Sequence, residues 1–304
     1  MRRFLINLLC AVVLSIPSMG QTNWGLRGNV GLEKKIAKGL DAELEAQYRQ
    51  TDNFRSTDRW SVGASLSKRL YRNKAKNFNI KAGIGYKYMK VYNDWKTKYK
   101  GDSTGISDGM KPQYYINNQL SFSLYDSYIN SRHRIFGSLQ ASLELDRFKI
   151  SLREMVQYTY IGSSSYQVTK YRVGSEYKAD DKDDDDDDDD PKDWTNKQYK
   201  KIGSTDYFYK NGIKDKAASD NYVLRSRINM SYDIPHWKYD PFVSFELFNG
   251  LDDGFKVEKS RLTAGFDFSF KKKHNFEVAY MWQNQHDDDE PAGSFICLGY
   301  KYEF

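Results

Sequence analysis

The sequence predicts an all-β fold: an antiparallel up-and-down transmembrane β-barrel of about twelve strands, with short periplasmic turns and long external loops. Three observations predict it. Apolar and polar residues alternate along most of the chain, the pattern of strands with one face in lipid and the other in a polar interior. Mean hydropathy is −0.79 and no apolar run follows Gly20, which excludes a helical membrane protein, while Tyr (24) and Phe (17) are plentiful and Pro (6) is scarce. The closing stretch Ser294–Phe304 places Ile296, Leu298, Tyr300, Tyr302 and Phe304 on one face, with Cys297, Gly299, Lys301 and Glu303 on the other. The competing fold is a soluble β-sandwich, which would have to hide all of these apolar faces in a core of modest thickness.

From the N-terminus, Met1–Gly20 has the three parts of a secretory signal. Arg2 and Arg3 form the positive region, Phe4–Ile16 the apolar core, and Ser18-Met19-Gly20 a small-residue cleavage site, leaving 21–304 as the barrel domain. The apolar core is shorter than the ~20 residues needed to span a bilayer as a helix. Removing this segment takes Cys10 with it and leaves only Cys297, so no intramolecular disulfide is expected. Net charge is +6, too weak and too dispersed to point to nucleic acid.

The strands then follow in order. Trp24, Leu26, Val30 and Leu32 share one face, opposite Arg27, Asn29 and Glu33. After a basic turn at Lys34–Gly39 come Leu40, Ala42, Leu44, Ala46 and Tyr48, opposite Asp41, Glu43, Glu45, Gln47 and Arg49. Next are Trp60–Leu66 and Phe78–Tyr88, then Tyr114–Leu124, Ile135–Leu145, Phe148–Tyr158, Tyr222–Ile234, Val243–Leu247, Leu262–Phe270, Phe276–Trp282 and the closing stretch. Several approach the ~10 residues of a tilted membrane strand. Glycines on the inward rows (Gly63, Gly83, Gly85, Gly265, Gly299) fit a crowded lumen or simple strand bends. Glu154 interrupts an otherwise apolar outward row, pointing to a bulge, an interfacial position or a shifted register.

Connections divide by length. Arg69–Lys76, Pro235–Lys238 and Lys271–His274 are short and basic; Asn93–Lys111, Ile161–Asn221 and Gln285–Gly293 are long, so 161–221 is expected outside, as one long loop. With a periplasmic C-terminus, an even strand count puts Lys34–Gly39 and Arg69–Lys76 on the long-loop side. Treating Tyr114–Leu124 as part of an external excursion restores parity and leaves eleven strands. Twelve is the expectation and eleven plus a loop hairpin the alternative.

Four stretches, SLREMVQYTY (Ser151–Tyr160), LRSRINMSYDI (Leu224–Ile234), PFVSFELFNG (Pro241–Gly250) and the last three strands by their spacing, resemble the DUF2490 family of outer-membrane barrels, known mainly from Bacteroidota. The resemblance spans about Trp24 to Phe304 outside the two largest loops. It implies a barrel and an outer-membrane address, with no assigned activity and no mapped site. Gly299, Tyr302 and Phe304 also resemble the C-terminal signal by which bacterial outer-membrane barrels are recognised for assembly.

Two groups of residues are candidates for function. The first is Asp180, Asp181 and Asp183–Asp190, a self-repelling run expected to be solvated and disordered. Asp183, Asp185, Asp187 and Asp189 are its weak divalent-cation candidates through oxygen ligands, although the run has neither EF-hand spacing nor the turn Gly of such a loop. Asp252, Asp253 and Asp287–Glu290 would extend an acidic external lip. The second group faces inward: Arg27, Arg49, Arg59, Arg69, Arg153, Arg225, Arg227 and Arg261, against Asp41, Glu43, Glu45, Glu246, Asp267 and Glu277. These either line a mixed-charge pore or fill the lumen as ion pairs. Arg225 and Arg227, two apart on one face, require a carboxylate, and Glu246 or Asp267 on the following strands are the candidates.

His133, His236, His274 and His286 belong to no nucleophile or metal pattern, and no phosphate loop is present, so neither an enzyme nor a cofactor is expected. The surroundings expected are outer-membrane lipid and lipopolysaccharide, and the partners barrel-assembly machinery and periplasmic chaperones. Two functions stay open: a structural or surface-interaction barrel with a largely filled lumen, and a narrow channel for small polar solutes. A rim-located hydrolase is a minor third.

Overall fold

The computed structural model describes residues 23–75, 77–100, 109–173, 193–202, 205–252, 254–285 and 292–304. The signal segment, the acidic run with Asp183, Asp185, Asp187 and Asp189, and also Asp253, His286 and Asp287–Glu290 lie outside them. The described chain forms two compact units: one comprises residues through Val91, Ser131–Ile161 and Asp220–Phe304, the other Tyr92–Asn130 and Gly162–Ser219.

The first unit is a closed barrel. Its strands are β1 (Trp24–Ala37), β2 (Leu40–Thr51), β3 (Ser56–Arg72), β4 (Phe78–Asn93), β7 (Tyr128–Leu145), β8 (Phe148–Ile161), β12 (Ser219–Tyr232), β13 (Tyr239–Gly250), β14 (Val257–Phe270), β15 (His274–Gln285) and β16 (Gly293–Glu303). These are eleven strands rather than twelve. In a meander every neighbour is antiparallel, so an odd count forces the first and last strands to close in parallel. β1 and β16 do so in unbroken register, from Trp24↔Ser294 to Glu33↔Glu303. Trp24 and Phe304 therefore mark opposite ends of the barrel. At the Phe304 end lie five short turns, including Lys38-Gly39, with Gly39 at φ +72, and Asp146-Arg147. Eleven strands put all the basic turns at that end, which removes the conflict that an even count creates.

Membrane character is visible in which face is covered. On the outward rows Val30, Leu44, Val62, Ile84, Ile135, Leu152, Ile228, Val278 and Leu298 are exposed, while inward Arg59, Arg261, Arg49, Arg132 and Glu246 are each 2–6% exposed. A soluble sandwich has the reverse distribution. Aromatics border the aliphatic band. Near the Phe304 end, Tyr239, Phe268, Phe276 and Tyr300 touch in succession across four strands; near the Trp24 end, Trp60, Tyr88, His133 and Tyr160 do the same. Two girdles around an apolar band are the outer-membrane-type arrangement.

The stretch Tyr114–Leu124 is not a barrel strand. Pro112–Asn117 is a short helix, α1, with proline in its first turn, and only Phe122–Tyr125 is extended. Nor is 161–221 a plain loop. It holds β9 (Ser164–Val173), β10 (Asp193–Ile202) and β11 (Thr205–Lys216), which with β5 (Lys96–Tyr99) and β6 (Phe122–Tyr125) form the second unit's sheet in the order β10-β11-β9-β6-β5. Its core is Tyr115, Phe122 and Tyr207, all fully buried, with Phe122 stacked on Tyr115 (5.1 Å) and Tyr171 (4.7 Å). The polar composition around these aromatics, and the distance in sequence between β6 and β9, conceal the sheet from a local reading.

Candidate functional site: the charged lumen

Every second residue of each barrel strand points inward, so the lumen is a set of registered rows. The balance of acidic and basic side chains changes along them. Rows begin basic at the Trp24 end (Arg27, Arg49, Arg59, Arg132, Arg225, Lys259, Arg261) and turn acidic toward the Phe304 end (Glu33, Asp41, Glu43, Asp267, Glu277, Glu303).

The basic half is organised on Glu246. In the sheet it stands opposite Arg227 on one side and Arg261 on the other. Arg225, one pleat along, grips it with two hydrogen bonds, Nε to Oε1 at 2.6 Å and Nη2 to Oε2 at 3.0 Å. Arg153 and Arg261 approach to 3.4 and 3.7 Å. The ring of Phe248 carries three cations over it, Lys259 at 4.4 Å, Arg261 at 4.6 Å and Arg225 at 5.0 Å. Asp58 receives Arg59 (2.8 Å) and Arg49 (3.9 Å), and Arg261 also donates to Gln283 (2.7 Å). These side chains leave a cavity of only about 90 Å³.

The acidic half is roomier. Lys301 pairs with Glu33 (2.7 Å), Lys81 with Asp41 (3.7 Å) and Lys87 with Glu45 (3.3 Å). Two cavities of about 500 and 540 Å³ open there. One stretch of the wall is apolar instead: Phe242, Ala279, Met281, Phe295 and Cys297 cluster on the inner face of β13, β15 and β16. Gly265 makes room beside them, since a Cβ there would stand 2.5 Å from that of Ala279.

Of the residues singled out from sequence, Arg225 and Glu246 are brought together. Arg227 faces the same wall, but no carboxylate lies within ion-pair distance of it among the described residues. Asp267 is not a partner of either arginine: it stands opposite Glu277 in the β14–β15 register, acid against acid. Gly299 packs inward against Glu277, where a Cβ would meet that of Glu277 at 3.0 Å. Tyr302 lies outside against His274 (5.1 Å) and Phe304 (4.9 Å). Phe304 is 64% exposed, its backbone N–H donating to the carbonyl of Glu33 at 2.9 Å. Glu154 sits midway along β8, opposite Leu139 in a ladder with β7 that has no bulge or register shift, and it accepts a hydrogen bond from Ser226 Oγ at 2.6 Å. Lys87, Arg132 and Arg134 were missed. The alternation of Phe78–Tyr88 does place Lys87 inward beside Gly83 and Gly85, and a segment beginning at Ile135 excludes both arginines, whereas β7 begins at Tyr128.

The family model described as "Protein of unknown function (DUF2490)" matches residues 24–292, and the chain belongs to that family. No curated protein matches. Among solved structures the chain is similar to the translocator domain of autotransporter NalP from Neisseria meningitidis, at 10% identity and a TM-score of 0.25, over 93% of this chain and 90% of that one. A superposition that loose equates no residue of one barrel with a residue of the other, and the closed strand order of this chain is what defines its fold.

Proposed function

We propose that this member of the DUF2490 family is a bacterial outer-membrane barrel whose lumen is filled across its basic half, serving as a structural or surface-interaction element rather than an open pore. The observation that carries this reading is the constriction at the Trp24 end. There Arg49, Arg59, Arg132 and Arg261 are buried to 6% exposure or less around a residual space of about 90 Å³, so the two larger cavities do not continue at that width. A narrow channel for small polar solutes is the second reading, favoured by the 500 and 540 Å³ cavities themselves.

The surroundings proposed are outer-membrane lipid and lipopolysaccharide, with the exposed aliphatic band between two aromatic girdles as support. Gly299, Tyr302 and Phe304 are proposed as the contact with barrel-assembly machinery. A catalytic role is not favoured, because His133 and His274 bind girdle tyrosines Tyr86 (2.7 Å) and Tyr300 (3.0 Å) on the outer wall. Planar-bilayer recording of the refolded protein tests the proposal. A filled lumen gives silence from a barrel that still shifts on heating in gel electrophoresis; steady ohmic currents overturn it in favour of the channel.

A further inference from the structure

Between the constriction and the acidic half lies a belt of six cations, Arg27, Lys87, Arg134, Arg153, Arg225 and Arg227, all lining the cavity of about 500 Å³. Within this belt Glu45 pairs with Lys87, and Glu246 pairs with Arg225 and Arg153 and is shared further with Arg261. Three observations locate a shortfall of negative charge in the same place. Arg27 makes its hydrogen bonds to neutral groups, the side-chain amide oxygen of Gln47 at 3.0 Å and the sulfur of Met281 at 3.8 Å. Arg227 has no carboxylate within ion-pair distance among the described residues. The buried Nε of Arg153 has no hydrogen-bond acceptor among the described residues. The other acids around the cavity are spoken for on its far side, Glu33 by Lys301 and Asp41 by Lys81, which leaves Glu43 among them.

Like charges held together behind a wall of low dielectric repel strongly, and guanidinium groups in particular match the geometry of an oxyanion, which they hold with paired N–H donors. The cavity has room for such a guest with water around it, since a water molecule takes about 30 Å³. We infer that the mid-lumen cavity is a binding site for a small oxyanion, a phosphate, sulfate or carboxylate group, held by Arg27, Arg153 and Arg227. The site goes beyond the proposal of a filled lumen and does not depend on conduction, because it lies on the wide side of the constriction.

The test uses the whole refolded protein in detergent, with inorganic phosphate and acetate titrated separately against chloride at constant ionic strength. Saturable heat by calorimetry and a rise in unfolding temperature are expected with phosphate, acetate or both; whichever binds more tightly identifies the group. Arg27→Gln and Arg227→Gln should each weaken binding at least tenfold. In the absence of the anion they should leave the unfolding temperature unchanged or raised, because each removes an unmatched like charge. Two results overturn the inference. One is the absence of saturable binding of either anion to the wild type. The other is a pair of variants that unfold at lower temperature yet bind the anion as tightly as before.

Discussion

The two halves of the lumen are built by the same eleven strands and differ in how their charges are matched. In the basic half one carboxylate, Glu246, serves Arg225, Arg153 and Arg261 at 2.6 to 3.7 Å, and a cation lost there leaves others beside it. In the acidic half each matched acid has a single lysine, and Asp267 and Glu277 face each other with no cation within ion-pair distance among the described residues. Guanidinium forks branch and bridge several strands, whereas an ammonium is a point charge that serves one neighbour well. Compensation by arginine consolidates the wall. Compensation by lysine leaves space: the cavity of about 540 Å³ is lined by Lys149 and Lys301 and by no arginine.

The largest expected effect comes from removing the hub. Glu246→Ala should lower stability by about 3–5 kcal/mol, the usual cost of breaking a buried charge network from one side, read by urea unfolding in detergent. A loss below about 1 kcal/mol would mean that the arginines find other partners and the hub is incidental. Next in size is a contrast within one strand: Arg225→Ala should cost about 2–3 kcal/mol, because a bidentate, charge-assisted pair is lost, while Arg227→Ala stays within about 0.5 kcal/mol. Equal costs for the two would erase the difference between them and weaken the anion-site inference.

On the outer face, Glu154→Leu should stabilise the barrel by about 1–2 kcal/mol, since a carboxylate midway along a lipid-facing row is unfavourable even with Ser226 donating to it. A loss of stability instead would show that the Glu154–Ser226 pair braces β8 against β12. The smallest effect expected is in the acidic half, where Asp267→Asn relieves repulsion from Glu277 and should gain up to about 1 kcal/mol. Destabilisation there would mean that Asp267 has a role in holding Lys149 or Lys301 near the shared cavity.

Much of this was legible because membrane-barrel alternation is a local signal. From Leu40 to Arg49 the sequence alone separates the lipid row from the lumen row, and the same holds for Phe276–Trp282 and the closing stretch. The lumen network was legible only in part. Arg225 with Glu246 follows from two adjacent strands joined by a short turn, but Arg153 reaches Glu246 from β8, a neighbour of β12 only after a long intervening segment. Asp267 was a reasonable partner by face and by strand order. It fails because on the β13–β14 ladder its opposite is Asp240, while Arg261 takes the place opposite Glu246.

What the sequence by itself determined is the face on which each residue lies, since side-chain direction repeats every two residues whatever the neighbouring strand is. That was enough for an all-β, outer-membrane-type barrel with a charged interior and an aromatic finish. Only the tertiary structure decided the count of eleven with its parallel β1–β16 seam, the removal of 112–125 to the second unit, and the constriction around the arginines. Those depend on which strands pair and in what register. Pairing is set by the sum of many non-local contacts, and no window of the chain contains it.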